Sequence, residues 1–379
     1  MTGTEEQQMA ANHHPKVSPQ EVHQQIAKLM DNLVNIKDET GEFLLKLADG
    51  RIIDTKGWND WEWTHGVGLY GLYRYYDQTL DSGCLDIITD WFKNRFAAGT
   101  PTKNINTMAA MLTLAHLYER TGNSTYRPYL EVWADWVMYD MPRTEDRGLQ
   151  HIVFNNDNHQ QLWDDTLMMS VLPLAKIGLV LGRPEYVEEA KRQFLIHIKY
   201  LFDSRSGLWF HGWNFEGRHN FARALWARGN SWITIVIPEF IELLDLKPGD
   251  FLREFLIDTF RSQVSALARL QDKESGLWHT LLDDQTSYLE ASATAGFAFG
   301  MLKAIRKRYI DAATYLPVAT KAIEGVLAHI DAKGELTHVS FGTAMGNDLQ
   351  FYRDIKLTSM PYGQSMAILA LTEYLNHFI

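Results

Sequence analysis

The sequence predicts an all-α fold, and within that class a closed (α/α)6 barrel of six helical hairpins and twelve helices, on three observations. Apolar residues recur at three- and four-residue spacing through most of the 379 residues, while strand-like alternation is confined to short pieces near turns. A short glycine-led turn recurs five times along the chain. The segments densest in polar and aromatic residues open alternate helices of the series.

Divided at its Gly, Pro and Asn-Asp breakers, the periodic pattern gives helices over 19–36, 62–79, 82–97, 104–121, 124–140, 160–182, 183–203, 228–244, 249–270, 287–307, 311–330 and 360–378. The recurring turn reads GEFLL at Gly41, GLQHI at Gly148, GLWFH at Gly207, GLWHT at Gly276 and GELTH at Gly334. Successive intervals are 107, 59, 69 and 58 residues. Three of these match one helical hairpin and the first matches two, as though the copy near residue 100 has lost its signature, so six hairpins follow. An array of hairpins either runs on as an open solenoid or closes. Apolar inner helices and the same repeat at both ends favour closure.

A content of 46% hydrophobic and 22% charged residues supplies a packed core and excludes a disordered chain. With 36 basic and 47 acidic residues the net charge is −11, which opposes general attraction to nucleic acid or to an anionic membrane, so an anionic ligand would need local cations. Cys84, the single cysteine, excludes an intramolecular disulfide and a cysteine metal site. Residues 1–18 are polar, with no apolar run suited to a signal peptide, and are expected to form a loose tail ahead of one folded domain over 19–379. No stretch approaches the roughly 18 to 20 apolar residues of a membrane span. The expected location is the cytoplasm, with neither nucleic acid nor membrane as partner.

In a toroid the long loops at one end of the inner helices form a funnel, and 12 Trp, 16 Tyr and 18 Phe are available to line it. Aromatic platforms beside a few polar anchors match carbohydrate. Four segments carry that mixture: NDWEWTHGVGLYGLYRYY from Asn59, NNDNHQQLWDDTLMM from Asn155, FHGWNFEGRHNFARALWARGNSW from Phe210 and MPYGQSMAILAL from Met360. Each opens an inner helix, which would bring them together in space.

In WDDTLMM a carboxylate enters a helix that continues with apolar Leu167, Met168 and Met169. Such shelter raises a carboxyl pKa, as a proton donor at neutral pH requires. Alternatively, Asp164 or Asp165 caps the helix by accepting backbone N–H groups. Arg228 stands between Trp226 and Trp232, where a guanidinium either grips a carboxylate with paired hydrogen bonds or makes a structural salt bridge or stack. His211 in FHGW is a sugar-binding donor, an acid or base, or a buried structural histidine. There are 14 histidines but no HExxH, and His13 and His14 belong to the tail, so no metal is expected. No phosphate-cradling GxxxxGK[ST] loop and no GxSxG elbow occurs, and no cofactor is expected.

Over residues 20 to 379 the chain resembles the unsaturated rhamnogalacturonyl hydrolases of glycoside hydrolase family 105, relatives of the unsaturated glucuronyl hydrolases. The resemblance is carried by WEWTHGVGLYGL, NINTMAAMLTLAHLYERTGN, QLWDDTLMMSVLPLAK, GLWFHGW, WARGNSW, LEASATAGFAFGML and MPYGQSMAILAL, in that order. It implies an (α/α)6 barrel acting on a small oligosaccharide left by polysaccharide lyases, with a C4–C5 double bond in the terminal uronic acid of pectin fragments. It further implies that one aspartate, Asp165 rather than Asp164, protonates C4 and then helps water add at C5. By the same resemblance His211 lies beside the substrate and Arg228 near the uronate carboxylate. Trp226, Trp232, Trp61 and Trp63 are then the walls or stacking platforms. Some relatives carry a second acid on the helix matching NINTMAAM, where this chain has Asn104 and Asn106, and Asn106 is taken as substrate-binding.

Two rival readings stand beside this one. A conventional (α/α)6 glycosidase would cleave saturated oligosaccharides with two carboxylates drawn from Asp60, Glu62, Asp157 and Asp165. A non-catalytic sugar-binding toroid would use Asp165 only as a helix cap.

Overall fold

The computed structural model describes residues 17–378. Residues 1–16 of the expected tail lie outside them. Of its last two, Val17 packs against the core and Ser18 caps the first helix. That helix, α1 (Pro19–Asn35), starts with Ser18 and Glu21 in a reciprocal capping box and buries Val22, Ile26, Leu29 and Leu33, the one-sided stripe of a surface helix.

The other helices are α2 (Trp63–Thr79), α3 (Ser82–Ala98), α4 (Ala110–Thr121), α5 (Arg127–Asp135), α6 (Leu172–Leu181), α7 (Pro184–Leu201), α8 (Ala227–Leu243), α9 (Phe251–Leu270), α10 (Ala291–Arg306), α11 (Ala312–Ala328), the short α12 (Leu349–Arg353) and α13 (Pro361–Leu375). Two kinds alternate. Every residue of α13 and all of α8 from Ala227 to Ile241 is buried, as is most of α2 and α10, whereas α1, α3, α5, α7, α9 and α11 each bury one face. A helix hydrophobic all round belongs inside. The inner set packs in the order α2, α4, α6, α8, α10, α13 and back to α2, and α1 packs on α13, so the first and last helices close the ring. The fold is the predicted (α/α)6 barrel.

The recurring turn explains part of this closure. Gly207, Gly276 and Gly334 all have a left-handed φ near +80° and lie so close to the backbone of Ser262 in α9, Lys321 in α11 and Lys28 in α1 that a Cβ would collide. Each turn thus seats on the next outer helix, and the last seats on the first. Gly148 lacks the positive φ and packs on the side chains of Leu162 and Ile196, a weaker copy of the device.

Five two-stranded antiparallel ribbons sit at the end where the inner helices begin: β1 (Leu44–Lys46) with β2 (Ile52–Asp54), β3 (Gln161–Trp163) with β6 (Gly212–Asn214), β4 (Phe202–Asp203) with β5 (Leu208–Trp209), β7 (Trp278–His279) with β8 (Leu289–Glu290), and β9 (Val339–Ser340) with β10 (Leu357–Thr358). They account for the differences from the predicted helices. Residues 160–166 form β3 and a turn because they pair with β6, and a wide π-type turn over Leu167–Val171 precedes α6. The helix expected from 287 begins at Ala291 because Leu289 and Glu290 pair with β7. The helix expected from 104 begins at Ala110, because Asn104 Oδ1 takes the amides of Asn106 and Thr107 and folds them into a turn. No helix among the described residues is long and apolar enough to cross a membrane.

Candidate active site

Asp164 and Asp165 sit at the step from β3 into α6, where the Asp164 amide donates to the carbonyl of His211 on the partner ribbon. Asp164 is fully buried against Gly229 of α8, where any Cβ would strike its carboxyl group. Both its oxygens lack a hydrogen-bond partner, as does Asp165 Oδ2, and Thr166, ahead of the π-type turn, makes no side-chain cap. The two carboxyl groups are therefore not spent on capping. Asp165 alone of the pair retains some exposure, 16%, and its Oδ2 lies 3.3 Å from Nε2 of His211.

His211 is buried between Trp226, 4.4 Å between ring centroids, and Trp163, 5.3 Å away edge-on. Its Nδ1 is 2.8 Å from the hydroxyl of Tyr352 on α12. Burial raises the Tyr352 pKa, so the phenol keeps its proton, and imidazole nitrogen accepts it better than the Met345 thioether 3.6 Å away. The remaining ring proton then lies on Nε2, facing Asp165. His151 stacks flat on Trp163 at 4.0 Å, its Nδ1 2.9 Å from Thr166 Oγ1, and burial lowers its pKa to about 3.

The electrostatics divide the aspartates. Burial pushes the Asp164 carboxyl well up, reinforced by the charge of Asp165. Burial also acts to raise Asp165, but the His211 Nε2–H that faces it outweighs burial and holds Asp165 below the usual carboxylate range. This corrects the expectation that shelter raises Asp165: the sheltered, protonated member is Asp164, and the pair holds one proton between two adjacent carboxyls.

Arg228, 1% exposed, is caged by aromatic rings, its Cζ 4.6 Å from Trp226, 5.0 Å from Tyr362 and 5.9 Å from Trp63. Trp63 stacks on Tyr362 at 4.4 Å and meets Trp232 edge-on at 6.0 Å. Trp226, Trp232, Trp63 and Arg228 are thus brought together. The expected paired grip on a carboxylate is corrected, however. Nη1 donates to the carbonyl and hydroxyl of Ser340, and Nη2 to the carbonyl of Phe341 and to Thr343 Oγ1, leaving only Nε–H buried without a partner. Trp61 is also corrected. It stacks on Trp133 at 5.6 Å and contacts Trp91 and Phe92, with Nε1 donating to the Thr107 carbonyl, in the core between α2 and the outer helices.

Asn106, half-buried, hydrogen-bonds the buried carboxyl group of Glu62, the residue before α2. Burial raises Glu62 to about 7 against the stabilising Asn106 side chain and Trp63 amide. Asp60 is occupied by the amides of Asp54 and Trp61, and Asp157 is exposed on a loop, so neither is poised as a catalytic partner for Asp165. Asp164, Asp165 and His211 present ligand atoms within 4.8 Å of one another, the one such group among the described residues that could hold a cation. A cavity of about 380 Å³ at the opposite end of the barrel, lined by Arg74, His116, Glu239 and Arg306, is remote from these groups, and Glu239 there is paired with Lys303.

His151, Trp163, Tyr352 and Tyr362 escaped the sequence reading. His151 was visible only as part of a turn repeat, and Tyr352 lies between expected helices with no periodic signal.

The chain is 32% identical over 320 residues to an unsaturated rhamnogalacturonyl hydrolase of Bacillus subtilis, covering 83% of this chain and 90% of that one. A crystal structure of a possible family 105 glycoside hydrolase from Salmonella enterica serovar Paratyphi A superposes with a TM-score of 0.95 at 62% identity, over 97% of this chain and 96% of that one. A family 105 glycoside hydrolase of C. acetobutylicum shares the fold at a TM-score of 0.75 and 24% identity, over 83% of this chain and 93% of that one. The family model described as Glycosyl Hydrolase Family 88 matches residues 35–378, and the chain belongs to that family.

Proposed function

We propose that the enzyme removes a 4,5-unsaturated galacturonyl residue from the non-reducing end of lyase-generated rhamnogalacturonan oligosaccharides, by hydrating the double bond. The observation that carries this reading is a single partly exposed carboxylate, Asp165, beside a buried carboxyl that holds a proton and an imidazole aimed at it. An anionic uronate entering beside Asp165 raises its pKa and draws the shared proton onto it. Asp165 then delivers that proton to C4, and positive charge develops at C5 next to the ring oxygen. Water adds to C5 and returns a proton to the Asp165 carboxylate. The resulting hemiketal opens to a C5 ketone, and the C1 hemiacetal expels the remaining saccharide. Conventional glycoside hydrolysis needs two carboxylates flanking the anomeric carbon, whereas Asp60 is taken up by the amides of Asp54 and Trp61, Glu62 by the Trp63 amide and the Asn106 side chain, and Asp157 is exposed on a loop.

Trp63, the one part-exposed ring of the three, forms the wall on which the sugar rests, with Trp232 buried against its edge and Trp226 buried against His211. His211 donates Nε2–H, and Asn106 offers a polar side chain. Arg228 acts through Nε–H and by fixing the Ser340–Thr343 loop. With Asp164 protonated, the acidic cluster offers a cation one carboxylate and one imidazole, and the reaction is proposed to run without metal. The single buried cysteine suits a reducing compartment, and the cytoplasm is the proposed location.

The test is incubation with an unsaturated disaccharide from a rhamnogalacturonan lyase, following the ultraviolet absorbance of the conjugated enol-uronate. Loss of absorbance with release of the neighbouring sugar is expected, unaffected by prior dialysis against chelator. Release of sugar from the saturated analogue at a similar rate, with the chromophore left intact, would assign the site to conventional hydrolysis instead.

A further inference from the structure

The cavity of about 380 Å³ at the far end of the barrel takes no part in the chemistry at Asp165, and its wall holds one cation more than its carboxylates engage. Asp77, Glu239 and Glu242 line it, and Glu373 lies behind Arg306. Each of these carboxylates has a cation in contact. Arg120 meets Asp77 at 3.1 Å, Lys303 pairs with Glu239, Lys307 with Glu242, and Arg306 holds Glu373 through two hydrogen bonds of 2.5 and 3.0 Å. Glu239 also accepts the Tyr70 hydroxyl, and Lys303 reaches Glu242 as well. Their charges are therefore balanced at contact distance.

Arg74 is what remains. It sits on α2 more than a turn before the helix ends at Thr79, short of the last turn where a cation serves the terminal carbonyls. Its side chain is 20% exposed and makes no hydrogen bond among the described residues, and the carboxylate in ion-pair range, Asp77 at 3.7 Å, is already held by Arg120. A guanidinium fork of five N–H donors, mostly withdrawn from water and lining a cavity, is incomplete without an acceptor.

His116 on α4 lines the same cavity. Its ring stacks on Tyr73 at 4.7 Å between centroids, which leaves the edge free, and neither ring nitrogen has a hydrogen-bond partner among the described residues. Burial, joined by the charges of Lys176, Arg74 and Lys303, holds its pKa well below the ordinary value, so the imidazole is neutral and offers one N–H. Leu112, Leu172 and Leu243 supply apolar wall.

We propose that this cavity is a second ligand site that takes a small organic monocarboxylate, with its oxygens on the Arg74 fork and the His116 N–H and its carbon chain against the leucines. One uncompensated cation matches one negative charge, and a guanidinium fork matches the two oxygens of a carboxylate. The leucines favour a carbon chain over further ionised oxygens, so phosphate fits less well. The site is separate from the Asp165 centre and independent of the reaction assigned there.

The experiment titrates the full chain with butyrate, 1-butanol and inorganic phosphate, followed by ligand-observed NMR. Butyrate should saturate a single site at roughly millimolar concentration, at least about tenfold more tightly than butanol or phosphate. Arg74→Met keeps the length of the stem and removes the fork, and should weaken butyrate by about tenfold or more. His116→Phe keeps a ring to stack on Tyr73 and removes the N–H, and should weaken it by about threefold to tenfold. Should Arg74→Met fail to fold, His116→Phe decides alone. Butanol or phosphate binding as tightly as butyrate overturns the ligand class. Absence of saturable butyrate binding overturns the site, as does butyrate binding that His116→Phe and a folded Arg74→Met leave unchanged, which would place the carboxylate elsewhere, the catalytic cleft included.

Discussion

Asp165 Oδ2 and His211 Nε2 face each other at 3.3 Å, and neither buried atom has any other protein partner. A buried pair whose only protein partner is each other, at a long 3.3 Å, can still accept or donate to a group that enters beside it. Asp165→Asn should therefore lower kcat by about 10³-fold or more while preserving the far-ultraviolet circular dichroism, because it removes the proton carrier and nothing structural depends on its oxygens. Turnover close to that of the unaltered enzyme would remove Asp165 from the chemistry.

His211 is tied to α12 through Tyr352, so its tautomer depends on a residue far off in sequence. Tyr352→Phe deletes the hydroxyl that fixes the Nδ1 side of the ring. A loss of roughly 10- to 100-fold in kcat is expected, with a smaller change in KM, since the ring keeps its packing between Trp163 and Trp226. A change confined to KM would show that Tyr352 only shapes the binding wall.

How far the sequence could be read follows from what each signal encodes. The twelve long helices were legible because burial imposes a three- and four-residue apolar spacing on them. The entries to α4, α6 and α10 were not, since the short pieces of ribbon or turn from Asn104, Gln161 and Leu289 carry no period long enough to separate from a helix. Trp61 and Trp63 are two residues apart and face different surroundings. Trp61 is still in the turn and packs outward on Trp91 and Trp133, whereas Trp63 begins α2 and meets Tyr362. The DDT step was visible as chemistry, but the split between a buried Asp164 and an ionised Asp165 depends on Gly229 and His211, which only the folded ring brings near.

Arg228 is a structural centre as much as a binding group. Arg228→Lys retains the charge but cannot reproduce four hydrogen bonds from two terminal nitrogens, so several buried acceptors of the 340–343 loop lose their donor. A loss of about 2 to 4 kcal/mol in unfolding free energy is expected, accompanied by a raised KM. If KM rises with denaturant stability unchanged, the guanidinium serves the substrate alone.

Ring closure makes a separate prediction about Gly334. Its Cβ-bearing variant Gly334→Ala would combine a left-handed φ of 79° with a clash against the Lys28 backbone of α1. Gly122, at φ 64° with open space around it, supplies the comparison. Gly122→Ala should cost about 1 kcal/mol, the left-handed penalty alone, and Gly334→Ala clearly more. Equal losses in urea titrations would mean that the turn does not brace the first helix.

Glu62 offers a stability test whose sign is fixed by its burial. Its carboxyl has an ordinary value of 4.5 and is raised to about 7 in the folded protein by loss of solvent. Between those values the unfolded chain has released the proton and the folded one has kept it, so stability is full below the lower value and falls as pH rises through the window. Above about 7 the buried carboxylate burdens the fold by roughly 3 to 4 kcal/mol. Glu62→Gln removes the titration and keeps an oxygen to accept the Trp63 amide. The unaltered protein should therefore lose stability relative to Glu62→Gln as pH rises from about 4.5 to about 7, with the gap constant on either side. Parallel stability curves across that range would show that Glu62 ionises in the native state at its ordinary value, and that Asn106 faces a carboxylate throughout.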